Sequence, residues 1–332
     1  MRALVLDNPG SLAVGKRLRL LDVPDPEPGA NELLLRVGAC AVCRTDLQLV
    51  EGDLAAHRLP TIPGHQVAGR VEAVGVGAAG WSVGDRAAVG WLGGTCGICR
   101  ACLGDRENLC AAARFTGWDR DGGFAERIVV GADCALRVPD GFDDEAAAPL
   151  LCGGVIGYRS LLVSGIRPGG RLGLYGFGAS AHLAIQVARH WGCEIHVATR
   201  SPREPQQALA LGAASVGGYD EIPPAPLDAA VTFAPAGTVV LAALRALDRG
   251  GTVAINAIHL DGIPAFPYGD LWWERSLRSV ANYTRDDARA FLELAATIPV
   301  RATTEVFPLE RGVEALRRLS AGTLDGTAVL VP

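Results

Sequence analysis

The stretch that decides the fold runs from Arg171 to Ala181 and reads RLGLYGFGASA. A short apolar segment, typical of a buried strand, is followed at once by Gly176, Gly178 and Ala181. This spacing is typical of the turn at which a nucleotide-binding strand passes into a helix. Glycine at 176 permits the tight turn, glycine at 178 lets the backbone approach a pyrophosphate, and alanine at 181 permits close packing. The stretch therefore predicts a dinucleotide site of the Rossmann type.

The residues beyond this turn continue the same alternation. Leu183, Val187 and Trp191 form one stripe of a helix predicted over 180–191, and Gly192 is placed to end it. Further segments are predicted as strands at 193–198, 228–232, 252–257 and about 277–281, and as helices at 204–212, 237–247 and 286–297. Strands that alternate with helices build a parallel sheet flanked by helices.

The first 145 or so residues have a different character. Short segments such as Glu32–Val37, Gly69–Val74 and Arg86–Val89 alternate with turns rich in glycine, proline and aspartate, which indicates a β-rich domain. The sequence thus predicts an α/β protein in three parts. These are a β-rich domain over 1–152, a Rossmann domain over 153–285, and a segment over 286–332 that returns to the first domain.

Composition excludes several classes of function. The 332 residues carry a formal net charge of −5, which argues against nucleic acid or an anionic membrane as a partner. No apolar run is seen to approach the roughly 18 residues of a membrane span. The only lysine is Lys16, and Arg17 follows it, so a P-loop and Schiff-base chemistry are excluded. The opening residues turn polar too soon for a signal peptide, and we expect a cytoplasmic protein.

Four of the nine cysteines form a cluster, namely Cys96, Cys99, Cys102 and Cys110. Four thiolates can surround Zn²⁺ tetrahedrally and leave no position open for a substrate, so the spacing predicts a structural zinc lobe over 94–112. Free or redox-active thiols and an iron–sulfur cluster are the alternatives.

In their order and spacing these motifs resemble the zinc-dependent medium-chain alcohol dehydrogenases. The resemblance covers nearly the whole chain and rests on Gly38-x4-Cys43-Arg44-Thr45-Asp46, Pro63-Gly64-His65-x3-Gly69, the four-cysteine lobe, and Cys152 ahead of the glycine turn. It implies a GroES-like catalytic domain followed by a doubly wound Rossmann domain. It also implies reversible hydride transfer between a primary or secondary alcohol and a nicotinamide cofactor.

The resemblance makes Cys43, His65 and Cys152 the ligands of a catalytic zinc, so that two zinc ions are expected per chain. Two thiolates and one neutral imidazole balance the charge of Zn²⁺ and leave a fourth position for water or substrate oxygen. Taken singly, the same residues would be interpreted as buried thiols and a core histidine.

Four neighbours of these ligands acquire roles from the resemblance. Thr45 matches the hydroxyl that relays the substrate proton, and Asp46 matches the carboxylate that orients the ligating histidine. A helix cap is a further role for both. Gln48 stands where many members have histidine, so the proton must leave through water, a ribose hydroxyl or another group. Gln66 stands where the family usually has glutamate, and we expect a somewhat more electrophilic metal.

Trp91 and Leu54 match positions that line the substrate pocket in the family. Such a bulky apolar wall favours a small uncharged alcohol or aldehyde, and core packing is the alternative for both residues. Arg44 matches a contact to the cofactor pyrophosphate, for which a solvated surface arginine is the alternative. Members commonly form homodimers or homotetramers, and 271–273 (Leu-Trp-Trp) offers either an apolar surface for this or part of a buried core.

Thr199, Arg200 and Ser201 follow the second Rossmann strand, about twenty residues past the glycine turn. An acidic residue at this point usually selects NAD by binding the ribose 2′-hydroxyl, but no Asp or Glu occupies 197–203. Arg200 can instead bind a 2′-phosphate, with the two neighbouring hydroxyls beside it. The sequence favours NADP(H) over NAD(H), and a surface arginine with relaxed cofactor choice is the alternative.

Two other functions stay open from the sequence. A zinc-independent relative could reduce quinones or activated double bonds, and a regulatory relative could keep the fold without activity. The presence of Cys43, His65 and Cys152 disfavours both, although Gln48 and Gln66 leave some room for the regulatory one.

Overall fold

The structure is a computed structural model of the chain, and it describes residues 1–13, 17–298 and 300–332. Lys16, on which the exclusion of lysine chemistry depends, lies outside the described residues. Two compact units are present. Unit 1 comprises Met1–Cys152, Thr284–Thr297 and Arg301–Pro332, and unit 2 comprises Gly153–Tyr283 and Ile298–Val300.

The strands are numbered in chain order. They are β1 (Arg2–Leu6), β2 (Leu18–Asp22), β3 (Glu32–Ala41), β4 (Val67–Val74), β5 (Arg86–Val89), β6 (Leu92–Gly94), β7 (Arg114–Phe115), β8 (Arg127–Gly131), β9 (Leu136–Arg137), β10 (Arg171–Tyr175), β11 (Glu194–Ala198), β12 (Ser215–Gly217), β13 (Leu227–Thr232), β14 (Leu247–Ile255), β15 (Ser276–Ser279), β16 (Thr304–Pro308) and β17 (Thr327–Val331).

The α-helices are numbered in the same way. They are α1 (Arg44–Glu51), α2 (Asp144–Ala147), α3 (Gly153–Ser164), α4 (Ala179–His190), α5 (Glu204–Leu211), α6 (Gly237–Ala246), α7 (Tyr268–Leu271), α8 (Arg285–Thr297) and α9 (Gly312–Ser320). Short 3-10 turns lie at Cys102–Gly104, Glu107–Leu109, Ala148–Leu151 and Leu309–Arg311.

Unit 1 is built around a seven-stranded sheet with the strand order β16-β17-β3-β4-β5-β9, in which β8 also pairs with β3. Leu33, Leu35 and Val37 on β3 are buried, whereas the residues between them are less so. This period of two is typical of a strand with one face on the core. The C-terminal strand β17 pairs with β3 at Leu330 and Cys40. A strand from the C-terminal segment is thus part of the sheet whose strand β3 contains Gly38 and leads to Cys43.

Unit 2 contains a six-stranded sheet in the order β12-β11-β10-β13-β14-β15, and all its neighbouring strands are parallel. Counted within the unit this order is 3-2-1-4-5-6, that of doubly wound dinucleotide-binding folds. The predicted α/β class with a Rossmann sheet is confirmed. The sequence had missed the short strand β12. The order reverses between β10 and β13, where such folds bind their ligands.

Helix α4 lies against α3 through small residues. A Cβ atom on Gly157 would lie 2.8 Å from the carbonyl oxygen of Ser180 and 3.3 Å from the Cβ of Ala184, so the two backbones are close. Leu183 and Val187 are buried as the predicted stripe requires. The helix ends one residue earlier than predicted, at His190.

One apolar segment corrects an expectation from the sequence. The helical segment Asp144–Ser164 is 21 residues long with a mean hydropathy of 1.5 in its most apolar window, which is enough to cross a membrane by length and composition. The expectation that no such run exists is therefore wrong, because helical turns continue through Pro149. Of that window 67% is buried in the molecule, as in the core helix of a folded domain.

The backbone just before His65 generates a prediction about stability. Gly64 has φ +97°, and a Cβ there would lie 2.5 Å from Phe124 and 2.9 Å from the Sγ of Cys40. We predict that Gly64→Ala lowers the free energy of unfolding by about 3 kcal/mol. Of this, about 1 kcal/mol comes from the left-handed backbone and the rest from overpacking.

Urea unfolding followed by circular dichroism measures this loss. Gly80→Ala is the matched control, since Gly80 has φ +82° but, in the part of the chain that the structure describes and apart from its chain neighbours, no heavy atom within 4 Å of its Cβ position. We expect the control to lose only about 1 kcal/mol. Equal losses in the two variants would contradict the crowding around Gly64.

Candidate metal centres and cofactor site

Three predicted ligands from distant parts of the sequence lie together in unit 1. Cys43 is the residue before α1, His65 precedes β4, and Cys152 follows the turn Ala148–Leu151. Their ligand atoms all lie within 4.8 Å of one another. The Nε2 atom of His65 is buried and has no hydrogen-bond partner among the described residues. Because an unpartnered buried nitrogen is costly, a metal ion that accepts it as a ligand fits this cluster.

The electrostatics of the cluster also suit a cation. A hydrogen bond from Cys152 holds the pKa of the Cys43 thiol well below its usual value despite burial, and the same contact raises the pKa of Cys152. Burial disfavours the charged form of His65, but the Asp46 carboxylate and Cys43 outweigh it and raise the pKa of His65 to about 10. Two thiols and one imidazole form a donor set that suits Zn²⁺, which would displace their remaining protons.

The buried carboxylate of Asp46 positions two of these three residues. Its Oδ1 accepts hydrogen bonds from His65 Nδ1 at 3.0 Å and from the backbone N–H of Gly64 at 3.1 Å. Its Oδ2 accepts from the backbone N–H of Cys43 at 2.8 Å. With Nδ1 assigned as the donor, Nε2 is left as the nitrogen available to a metal. Asp46 therefore caps α1 and orients the histidine at the same time.

Thr45 and Gln66 flank the cluster in different ways. The Oγ1 atom of Thr45 lies 3.8 Å from the Sγ of Cys43, so a hydroxyl is present beside the three ligands. Gln66 is buried and its amide donates to the carbonyl oxygen of Ala41 at 3.3 Å. It holds the end of β3 two residues before Cys43 and brings no charge to the site.

Trp91 forms an aromatic wall next to His65. It is 9% exposed, and its ring meets the imidazole edge-on with centroids 4.8 Å apart. It also stacks on Phe115 and Trp118 at 5.2 and 5.6 Å. These two rings, which stand three residues apart just after the four cysteines, were not among the predicted site residues. Leu54 packs on the core of unit 1, and its place in a substrate pocket stays a prediction.

The four clustered cysteines form a second group of candidate ligands in unit 1. The Sγ atom of Cys96 lies 3.5 Å from the Sγ of Cys110 and 3.9 Å from the Sγ of Cys102. The Sγ atoms of Cys99 and Cys102 are 3.5 Å apart. Four sulfurs bound tetrahedrally at about 2.3 Å from one Zn²⁺ would be about 3.8 Å apart. Backbone N–H groups of Ile98 and Cys99 lower the pKa of Cys96 to about 6, and burial with neighbouring thiols raises the pKa of Cys102 to about 11.

Arg285 ties this lobe to the C-terminal segment of unit 1. Its backbone N–H and its Nε donate to Oε1 of Glu107 at 2.7 and 3.4 Å, and its Nη2 donates to Oγ1 of Thr95 at 3.0 Å. Its Nη1 pairs with Asp133. Although burial opposes it, the contacts with Arg285 hold the pKa of Glu107 below its usual value. This arrangement could not be predicted from the sequence, because the partners are up to 190 residues apart.

The glycine turn of unit 2 fits a dinucleotide. Gly176 has φ +93°, and a Cβ there would lie 2.9 Å from the backbone nitrogen of Ala234, so only glycine is accommodated. Gly178 has an ordinary φ of −86°, and apart from its chain neighbours no heavy atom of the described residues lies within 4 Å of its Cβ position. Neither strain nor packing among these residues requires glycine at 178, and the open space leaves room for the close approach of a ligand. Helix α4 begins at the next residue and directs its N-terminus there, and Ala181 is fully buried.

After β11, the hydroxyl of Thr199 is not free to bind a 2′-phosphate as the sequence led us to expect. Arg200 is exposed. The hydroxyl of Thr199 donates to the carboxylate of Glu204 and accepts from the backbone N–H of Ser201 at 3.1 Å. Thr199 is therefore already engaged by its neighbours, and Glu204 brings a negative charge just past the interval 197–203.

Arg44 is exposed as the first residue of α1 and belongs to unit 1, whereas the glycine turn belongs to unit 2. Its contact to a pyrophosphate stays a prediction.

Alcohol dehydrogenases are among the known proteins that this chain resembles, both in sequence and in structure. Residues 29–140 match the model of the alcohol dehydrogenase GroES-like domain, and residues 181–297 match that of the zinc-binding dehydrogenases. The probable alcohol dehydrogenase AdhA of Mycobacterium tuberculosis is 51% identical over 100% of this chain and 97% of its own. An alcohol dehydrogenase of Geobacillus stearothermophilus is 33% identical over 95% and 96%. A cobalt- and zinc-bound thermostable alcohol dehydrogenase from Pyrobaculum aerophilum is 28% identical, with a TM-score of 0.89 over 100% and 99%.

Asp46 gives the prediction that tests this geometry. Asp46→Asn keeps the size of the side chain but removes the charge that orients His65, and we expect zinc affinity at the Cys43–His65–Cys152 cluster to fall ten- to a hundredfold. Zinc titration of the metal-free protein against a chromophoric chelator measures this, and binding at the four-cysteine lobe should not change. Asp53→Asn, at an exposed position just after α1, is the control. An equal loss at both sites, or none, contradicts the assigned role.

Proposed function

Since this chain belongs to the zinc-type medium-chain dehydrogenase/reductase family and is an alcohol dehydrogenase, we propose that it oxidises small uncharged primary or secondary alcohols to aldehydes or ketones, reversibly and with NADP(H). Cys43, His65 and Cys152 hold the catalytic zinc in this proposal.

The observation that carries the proposal is the buried cluster of two thiols and one imidazole. Its atoms lie within 4.8 Å of one another, and the Nε2 of His65 is unpartnered among the described residues. A zinc-independent quinone or enone reductase, or a regulatory relative, would have no use for such a cluster. When bound there, zinc would supply a Lewis acid that polarises the substrate oxygen and lowers the pKa of its hydroxyl.

Residues of the chain itself would orient the site and move the proton. Asp46 keeps Nε2 of His65 directed at the cluster. The Thr45 hydroxyl, 3.8 Å from the Sγ of Cys43, is placed to accept the proton of a substrate hydroxyl at this site. The amide of Gln48 does not titrate, so the next acceptor is water or a hydroxyl of the cofactor ribose. Trp91 shields the site from water on one side and presents an apolar face to an uncharged substrate.

Unit 2 would hold the nicotinamide cofactor, whose chemistry when bound would be to accept or supply the hydride. Gly176 and Gly178 let the backbone come close to the pyrophosphate, and the N-terminus of α4 favours its negative charge. The exposed guanidinium of Arg200 and the hydroxyl of Ser201 would bind a 2′-phosphate. This arrangement supports NADP(H) over NAD(H).

The proposal includes a second zinc ion per chain, held by the four-cysteine lobe in a structural role. Sulfur separations of 3.5 to 3.9 Å support it. Both clusters need reduced thiols, which the cytoplasm maintains, and we place the protein there.

A homodimer or homotetramer is also part of the proposal. Trp272 and Trp273 are 48% and 49% exposed, and they stand shortly before β15, the edge strand of the six-stranded sheet. An edge strand beside exposed aromatic rings favours pairing with a second copy of the chain.

Cofactor choice is tested at Arg200. We expect Arg200→Ala to lower kcat/KM for NADP(H) ten- to a hundredfold, because a charge-assisted hydrogen bond to the 2′-phosphate is worth about 1.5–3 kcal/mol. Steady-state kinetics with both cofactors and one aldehyde measures this, and the value for NAD(H) should stay within about twofold. The matched control is Arg203→Ala, at an exposed arginine of the same loop. A clear NAD preference in the unsubstituted enzyme, or equal losses with both cofactors, would falsify the NADP(H) proposal.

A further inference from the structure

Glu204 is an acidic residue in contact with the segment 199–201 that follows β11, which we call the cofactor loop, and its carboxylate is held in place. It is the first residue of α5 and half-buried, and it accepts a hydrogen bond from the hydroxyl of Thr199. That hydroxyl in turn accepts from the backbone N–H of Ser201 at 3.1 Å. A chain of two hydrogen bonds thus fixes a negative charge against the two residues that flank Arg200.

Arg200 and Glu204 carry opposite charges that both affect the pKa of one nearby side chain, Tyr219. In the part of the chain that the structure describes, no ion pair joins them. Both influence Tyr219, a half-buried residue beyond β12. Burial raises the pKa of Tyr219, the Arg200 guanidinium opposes that rise, and the Glu204 carboxylate adds to it. A positive and a negative group therefore both act on the surroundings of Tyr219.

We propose that Glu204 is a determinant of cofactor choice that weakens binding of the 2′-phosphate and so reduces the discrimination that Arg200 provides. The inference rests on the proposed NADP(H) site at Arg200. A 2′-phosphate carries nearly two negative charges at neutral pH, so Arg200 attracts it and the carboxylate held by Thr199 repels it. NAD(H) has a hydroxyl at this position and meets no such repulsion. The protein therefore accepts both cofactors, and its affinity for NADP(H) exceeds that for NAD(H) by a smaller factor than an arginine alone would give.

The same geometry explains why Thr199 does not add a donor for the phosphate. Its single hydroxyl proton is directed at Glu204, and one of its lone pairs is taken by Ser201. If glutamine replaces Glu204, the negative charge is lost, but the oxygen of the new amide can still accept the hydrogen bond from Thr199. Glu204→Gln thus removes the repulsion without disturbing the loop, which makes it the informative substitution.

The test is direct binding, independent of turnover and of the metal. Isothermal titration calorimetry of the full-length protein with adenosine 2′,5′-bisphosphate and with 5′-AMP isolates the contribution of the 2′-phosphate. We expect Glu204→Gln to bind the bisphosphate about tenfold more tightly, equivalent to about 1.4 kcal/mol, and 5′-AMP within twofold of the unsubstituted protein. The gain should shrink as salt is raised from about 0.05 to 0.5 M, since screening weakens repulsion between exposed charges.

Glu194→Gln is the matched control, because it removes the same charge at the other end of β11, about 13 Å along the strand from Ala198. Arg200→Ala tests the underlying proposal: weaker bisphosphate binding supports the site, and unchanged binding means that the NADP(H) proposal itself fails. If Arg200→Ala weakens binding but Glu204→Gln gives no gain, or if Glu194→Gln gives the same gain, only the inference about Glu204 is overturned. Melting temperatures of all variants identify any that lose the fold.

Discussion

The interaction on which the rest of the site depends is the buried carboxylate of Asp46. It binds the backbone of Cys43 and Gly64 and the imidazole of His65, so one side chain joins the start of α1 to the turn before β4. A buried charge with three donors is stable only when all three are in place. The carboxylate therefore fixes the backbone and the histidine orientation together, and the direction of Nε2 follows from it.

The two candidate metal centres would hold a cation in two different ways. Beside Asp46, two thiols and an imidazole would leave a coordination position open, as reaction chemistry requires. In the lobe, four thiols would close the coordination sphere, and the surrounding chain is held by Arg285 against Glu107 and Thr95. Because Arg285 begins α8, the C-terminal segment supports the lobe as well as completing the sheet through β17. Unit 1 therefore depends on residues of the C-terminal segment.

The sequence predicted most of what depends on local patterns. The parallel sheet, the turn at Gly176 and the four-cysteine lobe could be predicted because short spacings determine them. The grouping of Cys43, His65 and Cys152 came only from resemblance, since no periodicity connects residues so far apart. Contacts between residues far apart in the sequence could not be predicted, and those of Arg285 with Glu107 and Thr95 are an example. Glu204 was missed for a simpler reason: it lies one residue beyond the interval in which an acid was sought, and helix α5 turns its carboxylate back to Thr199.

The zinc content of the purified protein, compared with that of His65→Ala, tests whether Cys43, His65 and Cys152 form a metal site. We expect two zinc ions per chain in the unsubstituted protein. In the variant we expect one, with the lobe still occupied, the fold retained and alcohol oxidation lost. Two zinc ions in the variant, or full activity in a protein that binds only the lobe zinc, would contradict the assignment of Cys43, His65 and Cys152 as the catalytic metal site.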